Sequence, residues 1–194
     1  NGICSLNEGV VRLVLSCIME FDKNGRIINS SIKSGYIKSK HRMTYSNVNK
    51  IFEGNEALIK KYSDIYPMLL NMKDLSLLLR GIREERGGLD FDIKEMKIIV
   101  DEKGTPINVE SRERGLSEMM IEDFMLSANE AVAETLFNLK YPCCYRVHEE
   151  PSKERLANVN NILKAIGEEI KNIDKGVKPK QLQRLMNNIK GTAA

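Results

Sequence analysis

Two short stretches carry the side chains best suited to chemistry. One is Arg83-Glu84-Glu85-Arg86-Gly87-Gly88-Leu89-Asp90-Phe91; the other runs from Met120-Ile121-Glu122-Asp123 through Phe124-Met125-Leu126 to Ser127-Ala128-Asn129-Glu130. The second has helical periodicity within a segment from about 116 to 139. Stepping about 100° per residue, Asp123, Glu130, Glu134 and Asn138 share one side, as on a solvated face. Glu118, Glu122 and Asn129 fall elsewhere, within about 40° of one another, amid Met125, Leu126, Val132, Ala133 and Leu136. A carboxylate in an apolar stripe is costly unless something pairs with it. Two readings are open: a buried pair between Glu122 and Arg83 or Arg86, or a Glu and an Asn that grip the sugar edge of a nucleotide. A ribose 2′-OH donates to a carboxylate, which separates RNA from DNA.

The glycine pair Gly87-Gly88 follows a helix rather than opening one, so it reads as a helix stop and not as a phosphate cradle. Phe91 shares a strand face with Leu89 and Ile93, which fits core packing, or else a platform for a stacked base. Tyr45 closes a basic run of Lys33, Lys38, Lys40, His41 and Arg42 that contains no acid. An aromatic beside lysines suits single-stranded nucleic acid, and a tyrosine packed at a helix start is the equal alternative. Arg146 and His148 lie two residues apart in a short predicted strand, placed to contact phosphate or neighbouring acids. Serine, cysteine and histidine offer no convincing triad, and the adjacent acids Glu84-Glu85 and Glu149-Glu150 do not make the carboxylate cluster of a two-metal nuclease.

These residues need a scaffold. A chain of 194 residues buries most of its apolar surface without staples. The formal charge of +3 is a weak signal for polyanions; its clustering says more. No span is apolar and long enough for a bilayer, and no signal peptide is visible. Cys4, Cys17, Cys143 and Cys144 lack zinc spacing, so reduced thiols and a cytoplasmic protein are expected. Val11 to Phe21 alternates, with Val11, Leu13, Leu15, Cys17, Met19 and Phe21 giving one fully apolar face, and Asn24-Gly25 turns it into a second strand up to Ile37. Ser46 is the expected cap of a short helix ended by Gly54, Asn55 starts a second, and Pro67 opens a long one that stops at Gly87. A second hairpin turns at Asp101-Glu102-Lys103-Gly104. Helices follow from about Leu116 to Leu139, from Lys153 to about Lys171, and from Pro179 to near Gly191, with Tyr145 to His148 as a strand between the first two. The order hairpin, helices, hairpin, helices predicts an α+β fold, antiparallel hairpins forming a mixed sheet packed against several helices.

The stretches Asn1-Gly2-Ile3-Cys4-Ser5-Leu6-Asn7, His41-Arg42-Met43-Thr44-Tyr45, Arg83 to Phe91, Met120 to Glu130 and Tyr145-Arg146-Val147-His148-Glu149-Glu150-Pro151-Ser152 resemble, in this order, the catalytic domain of the ribonuclease II and ribonuclease R family. The resemblance implies a parent enzyme that is a processive, magnesium-dependent 3′-to-5′ exoribonuclease, releasing nucleoside 5′-monophosphates from single-stranded RNA, with no small-molecule cofactor and no membrane partner. It implies an RNA channel lined by Tyr45, Phe91 as a stacking clamp and Glu122 as a sugar contact; Asn129, Arg146 and His148 match further motif positions. The family's magnesium-binding aspartate cluster and its downstream catalytic arginine segment have no match here. The expectation is therefore a fragment inactive by itself, residues 1–170 being the centre of the catalytic domain and 171–194 a helical extension, with self-association through truncated surfaces. A non-catalytic RNA-binding or scaffold module on the same surface is the alternative.

Overall fold

A computed structural model describes residues 2–89, 95–112, 114–147 and 149–189. The chain is α+β: β1 (Val11–Phe21), β2 (Ile27–Lys38), α1 (Tyr45–Phe52), α2 (Glu56–Lys61), α3 (Tyr66–Arg86), β3 (Glu95–Val100), β4 (Pro106–Arg112), α4 (Leu116–Asn138), α5 (Lys153–Ala165), a 3-10 turn (Ile173–Lys175) and α6 (Pro179–Ile189). Among the described residues, β1–β2 and β3–β4 are two separate antiparallel sheets rather than one mixed sheet.

The two hairpins close with the same device. Asp22 Oδ1 accepts from the amides of Asn24 and Arg26, both at 2.8 Å, and Gly25 has φ +72°. Asp101 Oδ1 accepts from those of Lys103 at 2.8 Å and Thr105 at 2.9 Å, and Gly104 has φ +83°. Each is a three-residue loop whose last residue must be left-handed, a place where glycine costs least. Asn24-Gly25 therefore marks the turn but is not itself a two-residue loop. The pairing register shifts beside each turn, at Glu20/Phe21 and at Ile99/Val100.

The alternation of β1 is real, yet its apolar face is not core along its whole length. Leu13 is 88% exposed and Leu15 75%, while Arg12, Val14 and Ser16 on the opposite face are half-buried. Within the described chain α4 packs against β1 and no element covers Leu13 or Leu15.

The helices obey their local signals closely. Asn55 caps α2, accepting from the Leu58 amide at 3.1 Å, and Ser152 caps α5, accepting from Arg155 at 3.3 Å. The cap of α1 is Thr44, not Ser46: its hydroxyl accepts from the Asn47 amide at 3.3 Å. Two further expectations fail. Residues Tyr141 to Val147 form no strand and are exposed; Pro142 removes a donor, and no strand pairs with them among the described residues. Helix α5 ends at Ala165 rather than near Lys171, because Gly167 (φ +83°) breaks it.

By contacts the chain forms two compact units, Asn1–Arg80 with Ile93–Pro142, and Gly81–Asp92 with Cys143–Ala194. The first has a core of Val48, Ile51, Leu69 and Met120, drawn from α1, α3 and α4. The second is built on Leu156, Leu163 and Ile170, with Leu182 and Leu185 of α6 packed against them. The long helix α3 supplies residues to both units.

Candidate nucleic-acid interface

The cap at Thr44 makes Tyr45 the first residue of α1, where it is 42% exposed. It stands at the rim of a cavity of about 950 Å³ in the first unit. Lys40, His41 and Arg42 continue that rim, and Val48, Leu69, Met72 and Met120 line the interior. Cationic side chains over an apolar floor next to a tyrosine are a combination that tracks a phosphate backbone while offering bases a surface to lie on.

An acid from the turn between α2 and α3 holds the rim. Asp64 Oδ2 lies 2.6 Å from Lys40 Nζ and 3.0 Å from His41 Nε2, and the His41 ring meets Tyr62 edge-on with centroids 5.5 Å apart. The Lys40 ammonium, then His41, pull the Asp64 carboxyl down to about 2 from its ordinary 3.8. A depressed folded value means the contact stabilises fully above the ordinary value and is lost as pH falls through the folded one. Carboxyl NMR titration should therefore show Asp64 with a midpoint near 2; a midpoint at the ordinary carboxylate value would refute the contact. The sequence showed the cations but not their counter-ion, which lies over twenty positions away.

Helix α4 opens at Gly115, a residue with no side chain to cap it. Asn49 of α1 does the capping instead. Its Oδ1 accepts from the Ser117 amide at 2.9 Å, and its Nδ2 donates to Glu118 Oε2 at 2.9 Å. The buried Ser117 hydroxyl lies 3.2 Å from the Tyr45 carbonyl oxygen and 3.0 Å from Glu118 Oε2, with one proton to donate. A Cβ on Gly115 would clash with the side-chain amide of Asn49, so the missing side chain at 115 is what admits it. No local pattern announces Asn49; the one hint is a helix start with neither a hydroxyl nor a carboxylate at the cap.

Glu122 lies one turn beyond Glu118 and is not sealed in the core. It is 39% exposed and pairs with Arg114, Nη1 to Oε2 3.1 Å. The buried acid is its neighbour. Asp123, expected on the solvated face, is 3% exposed; Ser76 Oγ donates to its Oδ2 at 2.7 Å and Arg80 Nη2 at 2.8 Å. A buried acid–arginine pair thus exists on this helix, and it joins Asp123 to Arg80. The wheel had the two acids the wrong way round, with Asp123 on the solvated face and Glu122 in the apolar stripe. It could not say which side faced α3, since apolar residues flank both.

Of the other predicted residues, Asn129 is exposed on α4, two turns beyond Glu122. Arg146 is exposed in the irregular stretch of the second unit. Phe91 and His148 lie outside the described residues. The structure links Tyr45 to the helix that bears Glu122 through Ser117. Among the described residues no three His, Cys, Asp or Glu come together as metal ligands. Asp64, Glu118 and Glu122 flank the cavity's elements without lining it, and face basic or hydrogen-bonding side chains, Asp64 on Lys40, Glu118 on Asn49, Glu122 on Arg114. That donor set does not fit a magnesium ion.

Two small antiparallel sheets, these helices and a basic-rimmed groove coincide with a family match along the entire chain: residues 1–194 match the RNB domain, and the chain belongs to the RNB-domain family. Its relatives there are ribonucleases R. The chain is 44% identical to ribonuclease R 1 of Lactococcus lactis over 191 residues, covering 98% of this chain and 23% of that protein. It is 40% identical to ribonuclease R of Thermotoga maritima over 191 residues, covering 98% and 27%. Among solved structures it is similar to Mycoplasma genitalium RNase R in complex with ribose methylated single-stranded RNA, with a TM-score of 0.86 and 32% identity, covering all of this chain and 30% of that one. The chain spans about a quarter of the length of these curated relatives.

Proposed function

We propose that the chain contributes an RNA-guiding wall to a processive 3′-to-5′ exoribonuclease that hydrolyses single-stranded RNA to nucleoside 5′-monophosphates. The observation that carries this is the groove rimmed by Lys40, His41, Arg42 and Tyr45. In this reading Lys40 and Arg42 meet phosphates, Tyr45 and Phe91 stack on bases, and Glu122 accepts from a ribose 2′-OH. Asn129, Arg146 and His148 are additional RNA contacts by their place in the family motifs. The half-exposed position of Glu122 supports a ligand role, because its carboxylate is within reach of solvent-borne partners. Arg114 is one of its partners, and an exposed ion pair of this kind is worth only about 0–1 kcal/mol.

Magnesium, when bound in the whole enzyme, supplies nucleophile activation and charge neutralisation at the phosphate. Since the acids near this groove do not fit it, the chain alone is expected to bind RNA without cleaving it. Two measurements test the reading. Fluorescence anisotropy with a labelled oligoribonucleotide should show binding that weakens with salt. The Lys40→Ala, Arg42→Ala double variant should bind more weakly and lower the log–log salt slope by about 1.4, at roughly 0.7 per phosphate contact on a single strand. An unchanged slope would remove the rim from the interface. Magnesium-dependent mononucleotide release by the purified chain would refute its inactivity.

A further inference from the structure

The side chain of Asn49 is bound into α4 by both of its polar atoms. The acceptor oxygen takes the Ser117 amide and the donor nitrogen holds Glu118, each at 2.9 Å. Asn49 is also four residues after Tyr45, so both rise from the same face of α1. Glu118 is four residues before Glu122, so those two rise from the same face of α4, about 6 Å apart along its axis. A third contact, Ser117 Oγ to the Tyr45 carbonyl, closes the frame. A Cβ at Gly115 would clash with this amide, so the absent side chain there leaves the space it occupies. An amide carries both an acceptor for an orphan helix N–H and a donor for a carboxylate. Hydrophobic contact alone would hold two helices together but leave their sliding and rotation loosely set.

We infer that Asn49 is a positioning residue that fixes the register of Tyr45 against Glu122 across the α1–α4 contact, and thereby sets the preference of the groove for ribose over deoxyribose. Asn49 touches no nucleotide in this account; it acts through Glu118 and the α4 N-terminus on Glu122. The inference rests on the RNA-binding reading of Tyr45 and Glu122.

The test compares a single-stranded oligoribonucleotide with the oligodeoxyribonucleotide of the same sequence, binding each to the full chain and to Asn49→Ala. Phosphate contacts serve both strands, whereas a carboxylate aimed at a 2′-OH serves one. The variant should lose about tenfold in RNA affinity and keep its DNA affinity within about twofold. On a Glu122→Ala background the same substitution should cost nothing more, since the residue through which it acts is gone. A parallel fall for RNA and DNA makes Asn49 merely structural and overturns the inference, as does an unaltered ratio. Should Asn49→Ala fail to fold, Asn49→Asp retains the acceptor for the Ser117 amide but opposes Glu118. It should then lower the RNA-to-DNA ratio with α4 intact by circular dichroism, and an unaltered ratio there is equally fatal. If the unaltered chain shows no preference for RNA, the sugar-contact reading of Glu122 falls first and takes this inference with it. A wild-type preference that survives in the Asn49 variants sinks this inference alone.

Discussion

Asp123→Ala is expected to destabilise the chain by about 3–5 kcal/mol, the cost of breaking a buried ion pair by removing one partner. For a chain of this size that corresponds to a fall in Tm of about 6–20 °C. The acid's side chain is 2% exposed and that of Arg80 15%, so water cannot take over the role of the lost carboxylate. Arg80 has little in reserve. Its Nη1 rests on the Met119 sulfur at 2.8 Å, and its buried Nε has no partner among the described residues. Ser76, fully buried, would lose its acceptor as well. The asymmetry of buried polar groups gives a control: Ser76→Ala, Arg80→Met and Asp123→Leu combined should recover most of the loss, since apolar replacement of all members leaves nothing unpaired. Thermal unfolding followed by circular dichroism decides it. A single variant within 1 °C of wild type would show that the α3–α4 contact does not depend on this pair.

Gly87→Ala is expected to cost about 2–4 kcal/mol, adding a left-handed backbone penalty to an overpacking penalty. Gly87 has φ +95°, and a Cβ there would lie 2.9 Å from the backbone nitrogen of Lys180. Backbone cannot swing aside as a side-chain tip can. The strain would fall on the docking of α6 against the end of α3, which Gln183 also secures by donating to the carbonyls of Glu84 at 2.8 Å and Gly88 at 3.2 Å. Gly88 is closed in from the other side, its hypothetical Cβ 2.7 Å from Arg83 Cγ. The predicted sign is release of α6: limited proteolysis should cut the variant between Gly176 and Ile189 at a rate at which the parent chain stays intact. Equal cleavage of both would refute the close approach.

These two residues also mark how far the sequence reaches. Gly87 was legible as a helix stop because the signal is local: a periodic apolar run, arginines in the last turn, then glycine. That α6 lies against it was not, for nothing in Pro179 to Ile189 names its partner. The hairpins, the proline-opened helices and the helix start at Asn55 were legible for the same reason, being decided within four or five residues. The short helix near Tyr45 was predicted, but with its cap two residues late, since Thr44 and Ser46 are both competent caps and tertiary packing chose between them. The burial of Asp123 was invisible, as it depends on Arg80 some forty residues earlier. Glu122 was singled out for being surrounded by apolar residues, and it stands half-exposed on Arg114. The strand expected at Tyr145 failed because alternation alone supplies no neighbour to pair with.

Gly115 and Asn49 form a lock and its key, and the consequence is historical as well as mechanical. So long as position 49 carries an amide reaching into α4, position 115 has no freedom to acquire a side chain. Once 49 becomes something shorter, an oxygen-bearing residue at 115 could cap its own helix and the constraint would vanish. The two sites should therefore drift through related chains as a couple, neither changing while the other stands still.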